Sequence, residues 1–169
     1  KALFTQPPMP IKCAGAPQKA MYLACDHWRK QGVLDAIAVE FNLAGAALFG
    51  VSAFVPALMK YVEAYNATLA FQSTLVKVDG PNKTAWFEVT DANGNVTRQQ
   101  KTFDMLHVVP PQQAPDVIRR SPLADSAGWF ETDPATLQHP RHAEVFALGD
   151  VCGTPNAKTA AAVRKQVVV

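Results

Sequence analysis

The stretch Val145-Phe-Ala-Leu-Gly-Asp-Val-Cys-Gly-Thr-Pro-Asn-Ala-Lys-Thr-Ala-Ala-Ala-Val163 decides the reading of this chain. An apolar run, expected to be buried, stops abruptly at Gly149-Asp150. A turn with Gly153 and Pro155 follows, and Lys158-Thr159 opens an alanine-rich helix. A strand, then a glycine and an acid at its carboxyl end, then a helix start is the layout of a cofactor site in an open α/β sheet. In that layout Asp150 accepts hydrogen bonds from sugar-like hydroxyls. The Thr159 backbone N–H, at a helix N-terminus, faces something electron-rich. The plainer alternative is an ordinary strand–helix turn with a capping acid.

Working outward, the N-terminal half reads as parallel β/α units. Ala2 to Thr5 is extended. Pro17 to Gln31 reads as a helix with Met21, Cys25 and Trp28 on one face, Pro17 in its first turn and Gly32 as its stop. Asp35 to Leu43 reads as a strand with Ile37, Val39 and Phe41 alternating inward. Ser52 is expected to cap a second helix, with Pro56 in its first turn and Val55, Leu58, Met59 and Val62 on its inner stripe. Such β–α–β–α order predicts a parallel sheet. From Ala67 to Val109 the pattern changes to short strands, Leu75–Val78, Ala85–Val89 and Val96–Gln100. Pro81-Asn82 and Asn93-Gly94 supply turn signals, which together predict an antiparallel meander. Phe103 to Val109 is a further strand, ended by Pro110-Pro111. Pro110 to His142 is a long crossing segment, and Ala143 to Val169 a last strand and helix.

Composition narrows the class. A chain of 169 residues can bury a real core. A net charge of +2 is too small to argue for nucleic acid. There is neither an apolar run long enough to span a bilayer nor a signal peptide. The 13 prolines fall mostly in clusters around residues 7–10, 110–115 and 134–140, each a connection between packed elements. Three cysteines cannot all pair and show no metal-ligand spacing, so neither a disulfide framework nor a metal is expected. The chain begins at Lys1 rather than Met and ends on Val167-Val-Val169 within or just past a helix, which reads as a fragment.

A second stretch, Ile11-Lys-Cys-Ala-Gly-Ala-Pro-Gln-Lys19, lies between the first extended segment and the first helix. Through KCAGAPQK, LHVVPP and FALGDVCGTPNAKTAAAV, in that order, the chain resembles the sulfide:quinone oxidoreductases over essentially its whole length. It is most similar to the branch of mitochondrial enzymes and their bacterial relatives. These are FAD-dependent flavoproteins of the two-dinucleotide-binding-domain group that includes the disulfide reductases. The resemblance implies an α/β fold. Residues 1–112 would form the second, NAD-like Rossmann-type domain, with the β-meander at about 67–109. Residues 113–169 would form the crossing segment and the strand and helix that return to the flavin domain. It also implies that sulfide attacks a cysteine disulfide or polysulfide bridge beside the flavin. A persulfide forms, the released thiolate passes two electrons to FAD, and quinone reoxidises the flavin. Cys13 stands where the family carries one of its two redox cysteines; the other lies beyond the Gly-Asp motif, past this chain. By the same resemblance Asp150 binds the ribityl chain and Gly149 gives close approach. Lys158 and Thr159 stand near the pyrimidine end of the ring, and Pro110 and Pro111 line the cofactor side of the domain junction. Sulfide and quinone are the implied partners, at the surface of a bacterial or mitochondrial inner membrane. The membrane would be reached through regions outside this chain, and the assembly admits a homo-oligomer. The isolated segment is expected to hold flavin weakly and not to turn over.

On residues alone Cys13 is evenly balanced. Lys12 and Lys19 flank it, the first helix aims its N-terminus toward the loop, and Gly15 permits close approach, all of which favour a thiolate. Against that, most free cysteines are buried packing residues. Cys25 reads as packing. Cys152 follows Asp150 by two and is second choice for redox work, with a small apolar filler as its alternative. His139 and His142 flank Pro140 with no further ligand in reach. His27 reads as a polar helix residue and His107 as a core histidine. A membrane NADH dehydrogenase is disfavoured, because Lys12-Cys-Ala-Gly-Ala-Pro17 stands where G-x-G-x-x-G would be needed. A flavocytochrome sulfide dehydrogenase shares the cysteine and flavin chemistry. A non-catalytic Rossmann-like interaction module is the rival from another class.

Overall fold

A computed structural model describes residues 1–168; Val169, the last residue of the expected C-terminal helix, lies outside the described residues. The chain divides into two compact units. One comprises Lys1–Met9 and Ala14–Pro111, the other Pro10–Cys13 and the residues from Gln112 onward.

The first unit is built on four parallel strands. β1 (Ala2–Gln6) is buried from Ala2 to Thr5, the unbroken burial expected of a strand covered on both faces. α1 (Ala16–Lys30) follows, with Pro17 in its first turn and Met21 and Cys25 fully buried. Gly32 ends it at φ +70°, a conformation glycine adopts without strain, while Val33 N–H donates back to Trp28 O at 3.0 Å. β2 (Val39–Leu43) is four residues shorter than the alternation predicts. Leu34–Ala36 form a 3₁₀ turn instead, because Ala36 and Ile37 N–H donate locally to Val33 and Leu34 O and are lost to any ladder.

α2 (Val55–Ala64) carries Pro56 in its first turn and buries Val62, with Leu58 and Met59 partly buried beside it. Ser52 does not cap it: Ser52–Phe54 is a 3₁₀ turn and the helix begins after Phe54 without a side-chain cap. β3 (Thr68–Ala70) pairs parallel with β2, so the parallel sheet includes residues that the sequence assigns to the meander. Three residues are too few to show a period.

The meander itself is β4 (Ser73–Asp79), β5 (Thr84–Thr90) and β6 (Val96–Thr102), antiparallel throughout. Its second turn has Gly94 at φ +85° and the Asp91 carboxylate accepting from Asn93 and Asn95 N–H at 2.8 and 2.9 Å. β7 (Met105–His107) then returns to β1, giving the order β3-β2-β1-β7. Phe4, Met21, Cys25, Phe41, Leu43 and Val62 form the main core; Leu3 with Ala85 and Phe87 forms a second, toward the meander. Between sheet and meander, Lys101 Nζ donates to Glu40 Oε1 at 2.6 Å and to Asn42 Oδ1 at 2.7 Å. Burial pushes the Glu40 carboxyl up, but hydrogen bonds from Lys1 and Lys101 outweigh it and hold the group below its ordinary range.

The second unit has short elements: α3 (Asp116–Arg119), the antiparallel pair β8 (Gln138–His139) and β9 (His142–Phe146), a 3₁₀ turn at Gly149–Val151, and α4 (Ala160–Gln166). Its core cluster is Phe130, Ala147 and Cys152, with Ile118, Leu123, Val145 and Val151 against it. The apolar run into Gly149-Asp150 is less buried than its composition predicts: Phe146 is 52% exposed and only Ala147 is buried. The cause is topological, since β9 pairs only with the two-residue β8 among the described residues.

Candidate functional site

Most of the residues singled out by sequence lie in the second unit. Gly149 adopts φ +74° and opens the 3₁₀ turn, and a Cβ there would stand 3.3 Å from Val163 Cγ2, so glycine suits both the turn and the helix behind it. Asp150 is exposed and its carboxylate makes no side-chain hydrogen bond among the described residues. Cys152 is buried, beside Phe130. Burial pushes its thiol up, opposed by the neighbouring Thr132 hydroxyl and the Lys158 and Lys12 ammoniums. Lys158 is half-buried, its Nζ donating to Thr154 O. Thr159 is the N-cap of α4, its Oγ1 accepting from Ala162 N–H at 3.1 Å.

Cys13 is a half-buried free thiol in the short Pro10–Cys13 segment that the second unit includes. Its loop is held through Lys12. The Lys12 backbone N–H donates to Gln112 Oε1 at 2.9 Å, and its carbonyl accepts from Lys158 N–H at 2.8 Å. The Lys12 side chain is 7% exposed, with Nζ 3.1 Å from the centroid of the Trp129 ring. Burial, then the nearby Lys158 ammonium, hold Lys12 below the ordinary lysine range, against the pull of Asp150, Cys152 and Asp125. Burial also lowers Lys158. A loop built by Asp125 presents the Trp129 ring: its Oδ1 accepts from Ala127 and Trp129 N–H, both at 2.9 Å, and Gly128 takes φ +84°. Phe130 N–H then donates to Val151 O, and Gly153 N–H to Phe130 O, both at 2.9 Å, which joins that loop to the Gly-Asp turn.

The structure thus brings Cys13, Gly149, Asp150, Cys152, Lys158 and Thr159 into one unit. Two participants escape the sequence reading as site residues, Trp129 and Gln112. Nothing in their local pattern marks them, whereas Lys12 is visible as the charge next to Cys13. Gly15 is open: a Cβ there would meet nothing nearer than Phe49 at 4.0 Å, so no described group uses the close approach expected of it.

Pro110 belongs to the first unit and is exposed. With Pro7, Pro8, Val76 and Val109 it lines a cleft of about 360 Å³ at the carboxyl ends of β1 and β7. This is where the strand order reverses, the place at which open α/β sheets take ligands. Thr5 Oγ1 ties the two strands there, donating to His107 O and accepting from Val109 N–H.

Among the histidines, His139 is fully buried and its Nδ1 accepts from Arg141 N–H at 3.1 Å. His107 is half-buried, and burial lowers its pKa. No group of three or more metal-ligating side chains occurs among the described residues, and no described helix is long and apolar enough to cross a membrane.

No family model matches the chain. Curated proteins do. It is 43% identical over 98% of its length to the mitochondrial sulfide:quinone oxidoreductase of Mus musculus. It is 41% identical over 99% to that of Dictyostelium discoideum, and spans 36% of the length of each. Among solved structures, the sulfide:quinone oxidoreductase of the hyperthermophilic bacterium Aquifex aeolicus superposes with a TM-score of 0.69 at 18% identity, over 91% of this chain and 36% of that one. That likeness supports the mixed α/β fold seen here, a parallel sheet with an antiparallel meander. By sequence the chain is a homologue of the sulfide:quinone oxidoreductases, the family its motifs resemble, over a segment about a third of their length.

Proposed function

We propose that this chain is a working segment of an FAD-dependent enzyme that oxidises sulfide and passes the electrons to quinone at a mitochondrial or bacterial inner membrane. The observation that carries the reading is identity above 40% to mitochondrial sulfide:quinone oxidoreductases along essentially the whole chain. The Gly149-Asp150 turn fits the cofactor on its own terms. Its carboxylate is exposed with unused acceptor capacity, as hydroxyls of a ribityl chain require, and the left-handed glycine leaves the backbone uncovered. FAD, when bound, accepts two electrons from sulfur and releases them to quinone.

The chain's residues divide the work. Asp150 orients the cofactor by accepting its hydroxyl protons in hydrogen bonds. Lys158 supplies positive charge and Thr159 a cap that fixes the segment behind it. Pro110 lines the rim of the strand-end cleft. Cys13 is the sulfur carrier: half-buried and fixed by its neighbour Lys12, it would be bridged to the second redox cysteine, so that sulfide breaks the S–S bond, one sulfur becomes the persulfide and the released thiolate passes its two electrons to FAD. Cys152 packs, since burial keeps it a thiol.

The test is sulfide-dependent reduction of a soluble quinone by the intact protein, wild type beside Cys13→Ser. Loss of turnover with bound flavin retained is expected. Unchanged turnover makes Cys13 a packing residue.

A further inference from the structure

We propose that Lys12 is a positioning residue for Cys13: its buried ammonium, seated on the Trp129 ring, clamps the cysteine loop onto the segment that runs from Gly149 to Thr159. The inference rests on the reading of Cys13 as the sulfur carrier and adds to it the device that keeps the thiol in place.

Three anchors converge on one residue. The Lys12 amide is bonded to Gln112, its carbonyl to the Lys158 amide, and its side chain to Trp129. Cys13 is the next residue, so its backbone is covalently joined to the carbonyl that Lys158 holds at 2.8 Å. A freely hinged loop could not keep a thiol at a fixed distance from a reacting ring, and a small misplacement costs much of the rate.

The choice of a lysine is informative. Burying an ammonium at 7% exposure costs desolvation, and Lys12 forms no ion pair among the described residues. An apolar residue would pack against Trp129 without that cost. What the ammonium adds is a directional attraction to the ring face, strong when desolvated. Asp125 in turn spends both Oδ1 contacts on building the loop that offers the ring. The Gly153 position allows Asp125 and the Phe130 carbonyl to come close, since a Cβ there would lie 3.2 Å from Phe130 O.

The test uses the intact protein, reduced, with every cysteine outside this segment replaced by serine and a nitroxide attached to Cys13; within the segment Cys25 and Cys152 are buried and escape the reagent. Two readouts are taken near neutral pH: the mobility of the label, and hydrogen exchange at the Lys158 amide. In Lys12→Met and in Trp129→Leu the label becomes mobile and the Lys158 amide exchanges about fivefold faster or more, as loss of a buried cation–π contact shifts local opening. The double variant goes no further than either single one, because both remove one contact. Lys12→Arg and Trp129→Phe keep a cation over a ring and restore the immobile label. An immobile label in Lys12→Met overturns the proposal, and so does an Lys12→Arg variant as mobile as Lys12→Met. Neither readout needs flavin or turnover, so failure here is distinct from failure of the redox reading, which Cys13→Ser decides.

Discussion

The two units spend their residues differently. In the first, a parallel sheet buries Phe4, Phe41 and Leu43 on one side and Leu3 against Phe87 on the other, and its ions sit in paired sites such as Glu40–Lys101. In the second, the core cluster has only Phe130, Ala147 and Cys152 fully buried, while a lysine is buried against an indole and an aspartate at the turn is left unpaired. The first gathers large apolar side chains on both faces of its sheet, and the second buries a lysine with no ion-pair partner among the described residues. Under the proposed function, the contrast gives the sulfur carrier and the Gly-Asp turn to the second unit and the strand-end cleft to the first.

The largest effect expected is in the scaffold. Phe87→Ala removes a fully buried ring between sheet and meander and should cost about 4 kcal/mol, whereas Phe130→Ala in the sparser cluster should cost about half as much. Denaturant unfolding of both variants measures this, and equal losses would break the contrast.

Next is Lys101→Met, which leaves the largely buried Glu40 paired with Lys1 alone and should cost about 2 kcal/mol near neutral pH. The sign with pH is fixed. Glu40 titrates below its ordinary value in the folded state, so its contribution is present above the ordinary carboxylate range and is lost as pH falls through the lowered folded value. Denaturant midpoints followed into acid should show that wild-type loss, and a smaller one in Lys101→Met.

The smallest effect is Gly149→Ala. A Cβ at φ +74°, 3.3 Å from Val163, should cost about 1–2 kcal/mol and lower flavin retention by the intact protein. Normal stability with lost flavin would sharpen the assignment of this turn to the cofactor.

Much of the scaffold was legible because its signals are periodic. The stripe of α1, the short strand at Ala85–Val89 and the Asn93-Gly94 turn all lie where the residues predict. Where the sequence misleads, a local hydrogen bond or a missing neighbour is responsible. Ile37 looks like strand but closes a 3₁₀ turn on Leu34, Ser52 looks like a cap but precedes one, and β3 is too short to announce itself. Phe146 looks buried, yet the hairpin leaves it exposed. The site was legible only as segments. Gly149-Asp150 and Cys13 stand out along the chain, but the loop joining Asp125 to Trp129 meets Lys12 across more than a hundred residues, and no local pattern encodes such a meeting.

The most direct measurement is to mix the intact, flavin-loaded protein with sulfide in the absence of oxygen and weigh the peptide that carries Cys13. One extra sulfur on Cys13, appearing as the flavin bleaches, is the predicted result. Bleaching of the flavin with Cys13 unmodified, or with the sulfur found on Cys152 instead, would contradict the assignment of Cys13 as the sulfur carrier.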